Sequence, residues 1–395
     1  VKVLLSAYAC EPGKGSEPEV GLRTLLAAAQ RHDVWVITRE NNLPSLRTHL
    51  ANEPLRDRIH LVGLEVPGRL LRLKKRHGAF AQLYYDQWQR ALADRAIALD
   101  RDVRFDVVHH VTFAAYWKRA GVALLDRPLV WGPVGGGVRA PIALYRELGA
   151  VGILEELARN AVRPLVARLP GIRRAQRRAA VVLTQNAETA ARISATQAPV
   201  ILPNAVSVRV PDEAVPAVRD NTVVSVARMT PWKGVRLAVE AFAAMRTPEA
   251  RMVVIGRGAQ FDRIRLASIA LGVSDRVTFT GRLPRDEVLA TVAGARALVH
   301  AALHEEAGLA VSEALSYGTP VVCIDRGGPP ELLKHWPDVP SCAVEARNGG
   351  QTVRALAAAL DDVFAAPPPK TAVHDPVRSY ERSILDAYEI AARRG

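Results

Sequence analysis

The sequence predicts an α/β protein built as two domains, and three features carry that prediction. Short apolar runs of strand length recur along the chain, and several lead into a glycine-bearing turn and a helical stretch, the alternation of a parallel sheet. The 395 residues are enough for two full cores. Between the halves, Pro211, Asp212, Glu213, Pro216, Arg219, Asp220 and Asn221 form a polar, proline-spaced stretch that marks a domain boundary.

Composition sets the class and the partners. Apolar residues are 49% and charged residues 24%, which is globular rather than disordered. The net charge of +13 draws the protein to anions, whether nucleotide phosphates, acidic lipid headgroups or nucleic acid. Cys10, Cys323 and Cys342 are odd in number and widely spaced, so neither a disulfide framework nor a zinc site is suggested and a reducing compartment fits. No run reaches the ~18 apolar residues a membrane span needs, so a soluble or peripheral protein is expected.

In chain order, Val1-Lys2-Val3-Leu4-Leu5-Ser6-Ala7-Tyr8 is too brief for a signal peptide and reads as a first buried strand. The glycine-bearing loop Cys10-Glu11-Pro12-Gly13-Lys14-Gly15-Ser16-Glu17-Pro18 follows, then an amphipathic helix to about Gln30 and the strand Val34-Trp35-Val36-Ile37. This is a βαβ opening without the full P-loop pattern, so an ATPase reading is weak. After the strand Ile59-His60-Leu61-Val62, residues 69–77 mix apolar and basic residues, and so does Arg159 to Arg178. Such segments lie on an anionic membrane surface or form a solvated basic face. Asp100-Arg101-Asp102 has metal-binding spacing but sits among arginines and reads as surface.

Phe105-Asp106-Val107-Val108-His109-His110-Val111-Thr112 reads as a buried strand with its polar end at the carboxyl edge, where doubly wound sheets bind ligands. His109 and His110 are therefore candidate cleft residues. Leu129-Val130-Trp131 runs into Gly132-Pro133-Val134-Gly135-Gly136-Gly137, and consecutive glycines let a backbone approach a ligand. Main-chain groups of 135–137, Gly136 among them, are expected to do so; a flexible turn is the rival reading. Val181-Val182-Leu183-Thr184 reads as the last core strand of this half.

The second half opens with the strand Thr222-Val223-Val224-Ser225-Val226-Ala227 and the turn Arg228-Met229-Thr230-Pro231-Trp232-Lys233-Gly234. An arginine and a lysine so spaced across a turn can converge on one diphosphate, the first as a planar fork and the second as a compact charge. Strand and glycine turn recur at Met252-Val253-Val254-Ile255-Gly256-Arg257-Gly258 and at Val277-Thr278-Phe279-Thr280-Gly281-Arg282-Leu283. Then Ala297-Leu298-Val299 leads into His304-Glu305-Glu306-Ala307-Gly308-Leu309-Ala310-Val311-Ser312-Glu313-Ala314-Leu315-Ser316-Tyr317-Gly318-Thr319-Pro320-Val321-Val322. A helix starting near Gly308 and stopping at Gly318 offers its first-turn N–H groups to a phosphate. Eight helical residues rise ~12 Å, so Glu305 and Glu313 can touch separated parts of one long ligand. A nucleotide-sugar, with hexose, diphosphate, ribose and base, has that layout.

This stretch resembles the signature of retaining glycosyltransferases of family four, which have the GT-B fold: two Rossmann-like doubly wound domains facing a central cleft. The resemblance covers nearly the whole chain, most strongly 222–331. It implies an N-terminal acceptor domain over 1–206, a linker over 207–221, a nucleotide-sugar donor domain over 222–376, and a terminal helix over 377–395 packing back on the first domain. It implies that Arg228 and Lys233 neutralise the leaving nucleoside diphosphate and that Glu305 lies by the donor sugar. Gly308 and Leu309 would hold phosphate and sugar through their amides, and Glu313 the ribose hydroxyls. The loops at Gly256 and Arg282 would hold the base, and the loop at Gly15, similar to the family's Gly-Gly-Ala-Glu turn, would line the cleft.

Ala307 stands where the family often has an aromatic residue, and Glu306 where it often has glycine. Gly132-Pro133 stands where many members carry a histidine. Pro203-Asn204-Ala205-Val206 resembles another family marker, with Ala205 and Ser207 in place of its Gly and Asp. The implied activity is transfer of a hexose from a UDP- or GDP-sugar to a hydroxyl acceptor such as a lipid-linked glycan or polysaccharide precursor, with retention and with no metal or cofactor. The implied place is the cytoplasm or the inner face of the membrane. A GT-B phosphorylase, a nucleotide-sugar epimerase and a non-catalytic basic binding protein are the alternatives; no nucleic-acid module is recognisable.

Overall fold

A computed structural model describes residues 1–66, 68, 72, 80–205, 219–367 and 376–394. The basic stretch at 69–77, except Arg72, and the linker residues 207–218 lie outside the described residues. The chain divides into two compact units. One is Val1–Gly137 with Val162–Val206 and Arg378–Gly395; the other is Val138–Ala161 with Ser207–Val377.

In the first unit, seven parallel strands are β1 (Lys2–Ser6), β2 (Asp33–Arg39), β3 (Ile59–Leu64), β4 (Val107–His110), β5 (Leu129–Val134), β6 (Ala179–Thr184) and β7 (Val200–Ile201). Their order is β3-β2-β1-β4-β5-β6-β7. β4 and β5 are buried at every residue, as expected for strands covered by helices on both faces. The order reverses between β1 and β4, so the loops after these two strands part and leave a crevice at the carboxyl edge. The helix Ser16–Ala29 follows β1. The terminal helix Pro376–Arg393 buries Tyr380, Ile384 and Tyr388, and the Tyr380 hydroxyl lies 2.8 Å from Thr24 Oγ1 in the first helix.

The second unit holds six parallel strands, β8 (Asp220–Val226), β9 (Arg251–Ile255), β10 (Val277–Gly281), β11 (Ala295–His300), β12 (Val321–Ile324) and β13 (Cys342–Val344). The order β10-β9-β8-β11-β12-β13 reverses between β8 and β11. Each unit is thus a Rossmann-like doubly wound sheet.

Two boundaries differ from those expected. Asp220 and Asn221, read as linker, open β8. Residues 138–161, read as part of the first domain, pack with the second unit, because Ala140, Leu144 and Leu148 join the core of Val223, Val239, Phe242 and Met252. Full burial of one leucine contributes about 1.5–3 kcal/mol, so the pair Leu144 and Leu148 is enough to decide where this excursion rests.

Candidate functional site

In the second unit, the loops that part at the strand-order reversal are those after β8 and β11. They are held together by Gly234, whose φ of 58° lies in the left-handed region and whose Cβ, if present, would stand 1.8 Å from the Ala301 carbonyl oxygen. Leu303 N–H donates to the Trp232 carbonyl at 2.8 Å. This contact brings the Lys233 ammonium 2.5 Å from Glu305 Oε2, and His300 Nε2 lies 3.3 Å from the same oxygen. Burial pushes the Glu305 carboxyl upward, but the His300 ring and the Lys233 charge outweigh it and hold the group well below the usual carboxylate range. Glu305 is therefore ionised in the folded protein.

Immediately beyond, Gly308 takes φ 86° as the cap of the helix Leu309–Ser316, so the helix starts where the sequence places it. The amides of its first turn have no intrahelical acceptor and carry the positive end of the helix dipole. Farther along, Glu313 is buried and accepts from Arg285 Nη2 at 2.7 Å. Burial raises its carboxyl and Arg285 opposes that rise. Gly327, at φ 67°, lets the next turn lie on the Glu305 carbonyl, to which Gly328 N–H donates at 3.1 Å.

A second layer braces this loop from the 138–161 excursion. Glu156 is fully buried, and it accepts from Ala140 N–H at 2.9 Å and from Arg159 at 3.0 Å. His304 lies between Glu156, at 3.7 Å, and Glu306, at 3.4 Å, and Glu306 in turn accepts from Val138 N–H at 3.1 Å. Burial alone would raise Glu156 and lower His304. Their mutual contacts reverse both, so that Glu156 falls to about 2 and His304 rises above its ordinary value. Neither Glu156 nor Arg285 belongs to a motif in the sequence. The one signal for Glu156 is its four-residue spacing from Gly152, which sets a carboxylate on the inward face of the helical segment that follows the break at Gly149.

The turns after β9 and β10 border an open pocket of about 710 Å³ lined by Arg257, Phe261, Phe279, Thr280, Gly281 and Arg282. Phe261 and Phe279 meet edge to face at 5.9 Å and give the pocket an apolar aromatic side, with the Arg257 guanidinium 4.9 Å from the Phe261 ring centroid. Gly256, at φ 128°, passes so close beneath the β8 loop that a Cβ would stand 2.0 Å from the Ala227 carbonyl oxygen. Lys233, Glu305, Gly308, Leu309 and Glu313 thus share one carboxyl edge with Gly256 and Arg282, and Arg228 is exposed on the β8 loop.

The remaining candidates lie in the first unit. Gly15, at φ 60°, caps the helix Ser16–Ala29. His109 and His110 do not line a cleft. His109 is fully buried, with Nδ1 2.8 Å from the Tyr388 hydroxyl and Nε2 donating to the Gly132 carbonyl at 2.7 Å. His110 is bonded on both sides by Ser6 and Tyr85. Burial depresses the two rings to about 4 and about 3, so both are neutral pins inside the core.

Gly136 is likewise engaged by the protein. Its carbonyl accepts from Arg163 at 3.2 Å, and a Cβ would stand 2.9 Å from Trp117 Nε1. A Cβ on Gly137 would stand 2.4 Å from Thr189 Cα. These glycines make room for neighbouring side chains and backbone rather than for a ligand.

Residues 211–370 match the family of glycosyl transferases group 1. The chain is 32% identical over 262 residues to the 2-deoxystreptamine N-acetyl-D-glucosaminyltransferase of Streptomyces fradiae, covering 61% of this chain and 60% of that protein. It is 31% identical over 150 residues to a GDP-mannose-dependent alpha-(1-6)-phosphatidylinositol monomannoside mannosyltransferase of Mycobacterium tuberculosis, covering 36% and 38%. The chain therefore matches less than two thirds of the length of these curated relatives.

Among solved structures, Anabaena HepE in complex with UDP aligns with a TM-score of 0.57 at 16% identity, over 98% of this chain and 100% of that one. The sucrose-phosphate synthase of Thermosynechococcus elongatus aligns with a TM-score of 0.57 at 17% identity, over 100% and 97%. At such identity the likeness is one of fold, and the fold is that of the GT-B glycosyltransferases.

Proposed function

We propose that the chain is a retaining glycosyltransferase that moves a hexose from a UDP- or GDP-sugar to a hydroxyl acceptor without a metal ion. The observation that carries this reading is the Lys233–Glu305 pair at the strand-order reversal of the second unit, next to a helix N-terminus. The family match, and the glucosaminyl- and mannosyltransferases among the relatives, support the transfer of a sugar.

The acceptor hydroxyl attacks the anomeric carbon from the face that the diphosphate leaves, and a leaving phosphate oxygen takes its proton. The central task is then to stabilise charge that grows on the leaving group. Lys233, Arg228 and the first-turn amides at Gly308 and Leu309 perform it by charge and pre-set dipoles. Glu305, kept ionised, faces the developing positive charge on the sugar, and Glu313 holds the ribose once Arg285 gives way. The pocket at Phe261 and Phe279 takes the base.

Peripheral membrane contact on the cytoplasmic side belongs to the same reading. No described helix is long and apolar enough to cross a membrane. Yet in the first unit Val162, Leu165 and Leu169 are each more than half exposed, and the next helix, Pro170–Arg178, carries Arg173, Arg174, Arg177 and Arg178. An apolar stripe followed by arginines suits a bilayer surface rich in anionic lipid, where a lipid-linked acceptor would be met.

The test is a panel of UDP-, GDP- and ADP-sugars scored first for thermal stabilisation and then for product by NMR. Stabilisation by one donor and a product of unchanged anomeric configuration are expected. Inversion at the anomeric carbon, phosphate-dependent cleavage, epimerised donor without transfer, or no stabilisation at all would each overturn the reading.

A further inference from the structure

In the second unit β13 ends the strand order, and among the described residues it pairs only with β12. The Val344 carbonyl accepts from Asp325 N–H at 2.8 Å, so the main chain of Cys342 and Val344 turns toward β12. That of Ala343 between them turns the other way, with its N–H and carbonyl directed outward, and Cys342 and Ala343 are both exposed. Unpaired groups at a sheet edge are a template for another strand, which proteins commonly blunt with charge, a bulge or a proline. The opposite edge, β10, has a register shift between Phe279 and Gly281, whereas Cys342-Ala343-Val344 carries none of these.

The helix Gly349–Ala365 covers one face of this edge and leaves an open groove of about 640 Å³, whose lining includes Cys342, Val344, Arg354, Ala355, Ala358 and Asp362. Arg354, Ala358 and Asp362 follow at four-residue steps, so they share one face of the helix, and all three are exposed. Neither Arg354 nor Asp362 makes a side-chain hydrogen bond or ion pair with a described residue.

The helix runs back against the strand. Thr352 receives Arg347 N–H just past the end of β13, and Asp362 stands near its start, where its charge adds to burial in raising the Cys342 thiol. Ala358 lies ~6 Å before Asp362 along the helix axis, which is level with Ala343 and Val344, ~3–7 Å along the strand from Cys342.

The charge pattern selects the partner. An anionic surface would gain Arg354 and be repelled by Asp362, and a cationic one the reverse. A second copy turned by a two-fold axis at this level satisfies both, because Arg354 then meets Asp362 of the partner subunit and Asp362 meets the partner's Arg354. The same axis, normal to the sheet, sets Ala343 antiparallel to Ala343 of the partner subunit, each N–H donating to the other's carbonyl. The small side chains of Ala355 and Ala358 let the two helices approach.

We propose that this edge is the interface of a homodimer, in which two copies join through β13 into one continuous sheet and are held in register by reciprocal Arg354–Asp362 pairs. The inference is independent of the sugar-transfer reading.

The test is sedimentation velocity of the full chain from about 1 to about 200 μM, a range that brackets a weak dimer. A monomer–dimer equilibrium is expected. Arg354→Asp and Asp362→Arg should each weaken it by about tenfold or more, because each sets like charges together at both ends. The double variant exchanges the charges and should restore the parent's affinity. Ala343→Pro removes the outward N–H at a position where an edge strand tolerates proline, and should abolish the dimer. If Ala343→Pro lowers Tm, the charge exchange on exposed side chains decides. A chain monomeric throughout, single-charge variants that dimerise like the parent, or a double variant that does not recover overturns the proposal, as does a dimer that Ala343→Pro leaves unchanged.

Discussion

Lys233→Ala separates a lysine that serves chemistry from one that serves only the fold. Its ammonium lies 2.5 Å from Glu305 Oε2, and the two side chains are 25% and 16% exposed, between the surface and buried limits for ion pairs. Surface pairs contribute about 0–1 kcal/mol, and orphaning a buried partner costs about 3–5 kcal/mol. Because His300 still faces Glu305, a stability loss of about 1–3 kcal/mol is expected, or a fall of roughly 2–10 °C in Tm.

Removal of one pre-organised donor from a developing negative charge costs about 2.7–4 kcal/mol in the barrier, so kcat should fall about 100- to 1,000-fold. The two effects are distinguished by measuring kcat at saturating donor well below Tm, with calorimetry on the same sample. The acid limb supplies a third reading. The depressed Glu305 carboxyl contributes stability that is present above about 4.5 and is lost as pH falls through its folded value. Without Lys233 that folded value rises and the loss begins at higher pH. A kcat within fivefold of the parent, in a variant whose Tm has fallen as stated, refutes the catalytic role.

The buried neutral rings of His109 and His110 lie below the ordinary histidine value, so their contribution is complete above about 6.5 and declines as pH falls toward about 4 and about 3. Urea unfolding between pH 7 and 4 should lose about 1.4 kcal/mol per pH unit for each ring, and His110→Phe should remove about half of that slope; an unchanged slope counts against buried neutral histidines. On membranes, the chain should co-sediment with vesicles rich in anionic lipid and not with zwitterionic ones, and less so at high salt. Leu165→Glu combined with Leu169→Glu should abolish the association, and binding that survives both changes rejects the stripe as the contact.

Much of the architecture is legible because strand-length apolar runs and glycine turns are local signals. The run at 222–227, the cap at Gly308 and the stop at Gly318 can each be placed within a residue or two, since backbone conformation there depends on one side chain or its lack. What is not legible is pairing across sequence distance. Glu156 meets His304 across more than a third of the chain, and Arg285 reaches Glu313 from 28 residues away. No periodicity ties such partners together. Gly136 and Gly137 show a different limit. A missing Cβ clears space, but the sequence does not say for whom, and here Trp117 and Thr189 are the neighbours. A polar residue at a strand end is equally two-sided, as Tyr388 and the Gly132 carbonyl show by taking up both nitrogens of His109.

The strand-order reversal of the second unit sets one cation beside one carboxylate. Lys233 is already closed onto Glu305, so under the proposed reading an arriving diphosphate has to compete for the ammonium, and His300 is the group left facing the freed carboxylate. That competition discounts ground-state affinity and leaves the full attraction for the moment when charge on the leaving group is greatest, which is where a gain lowers the barrier.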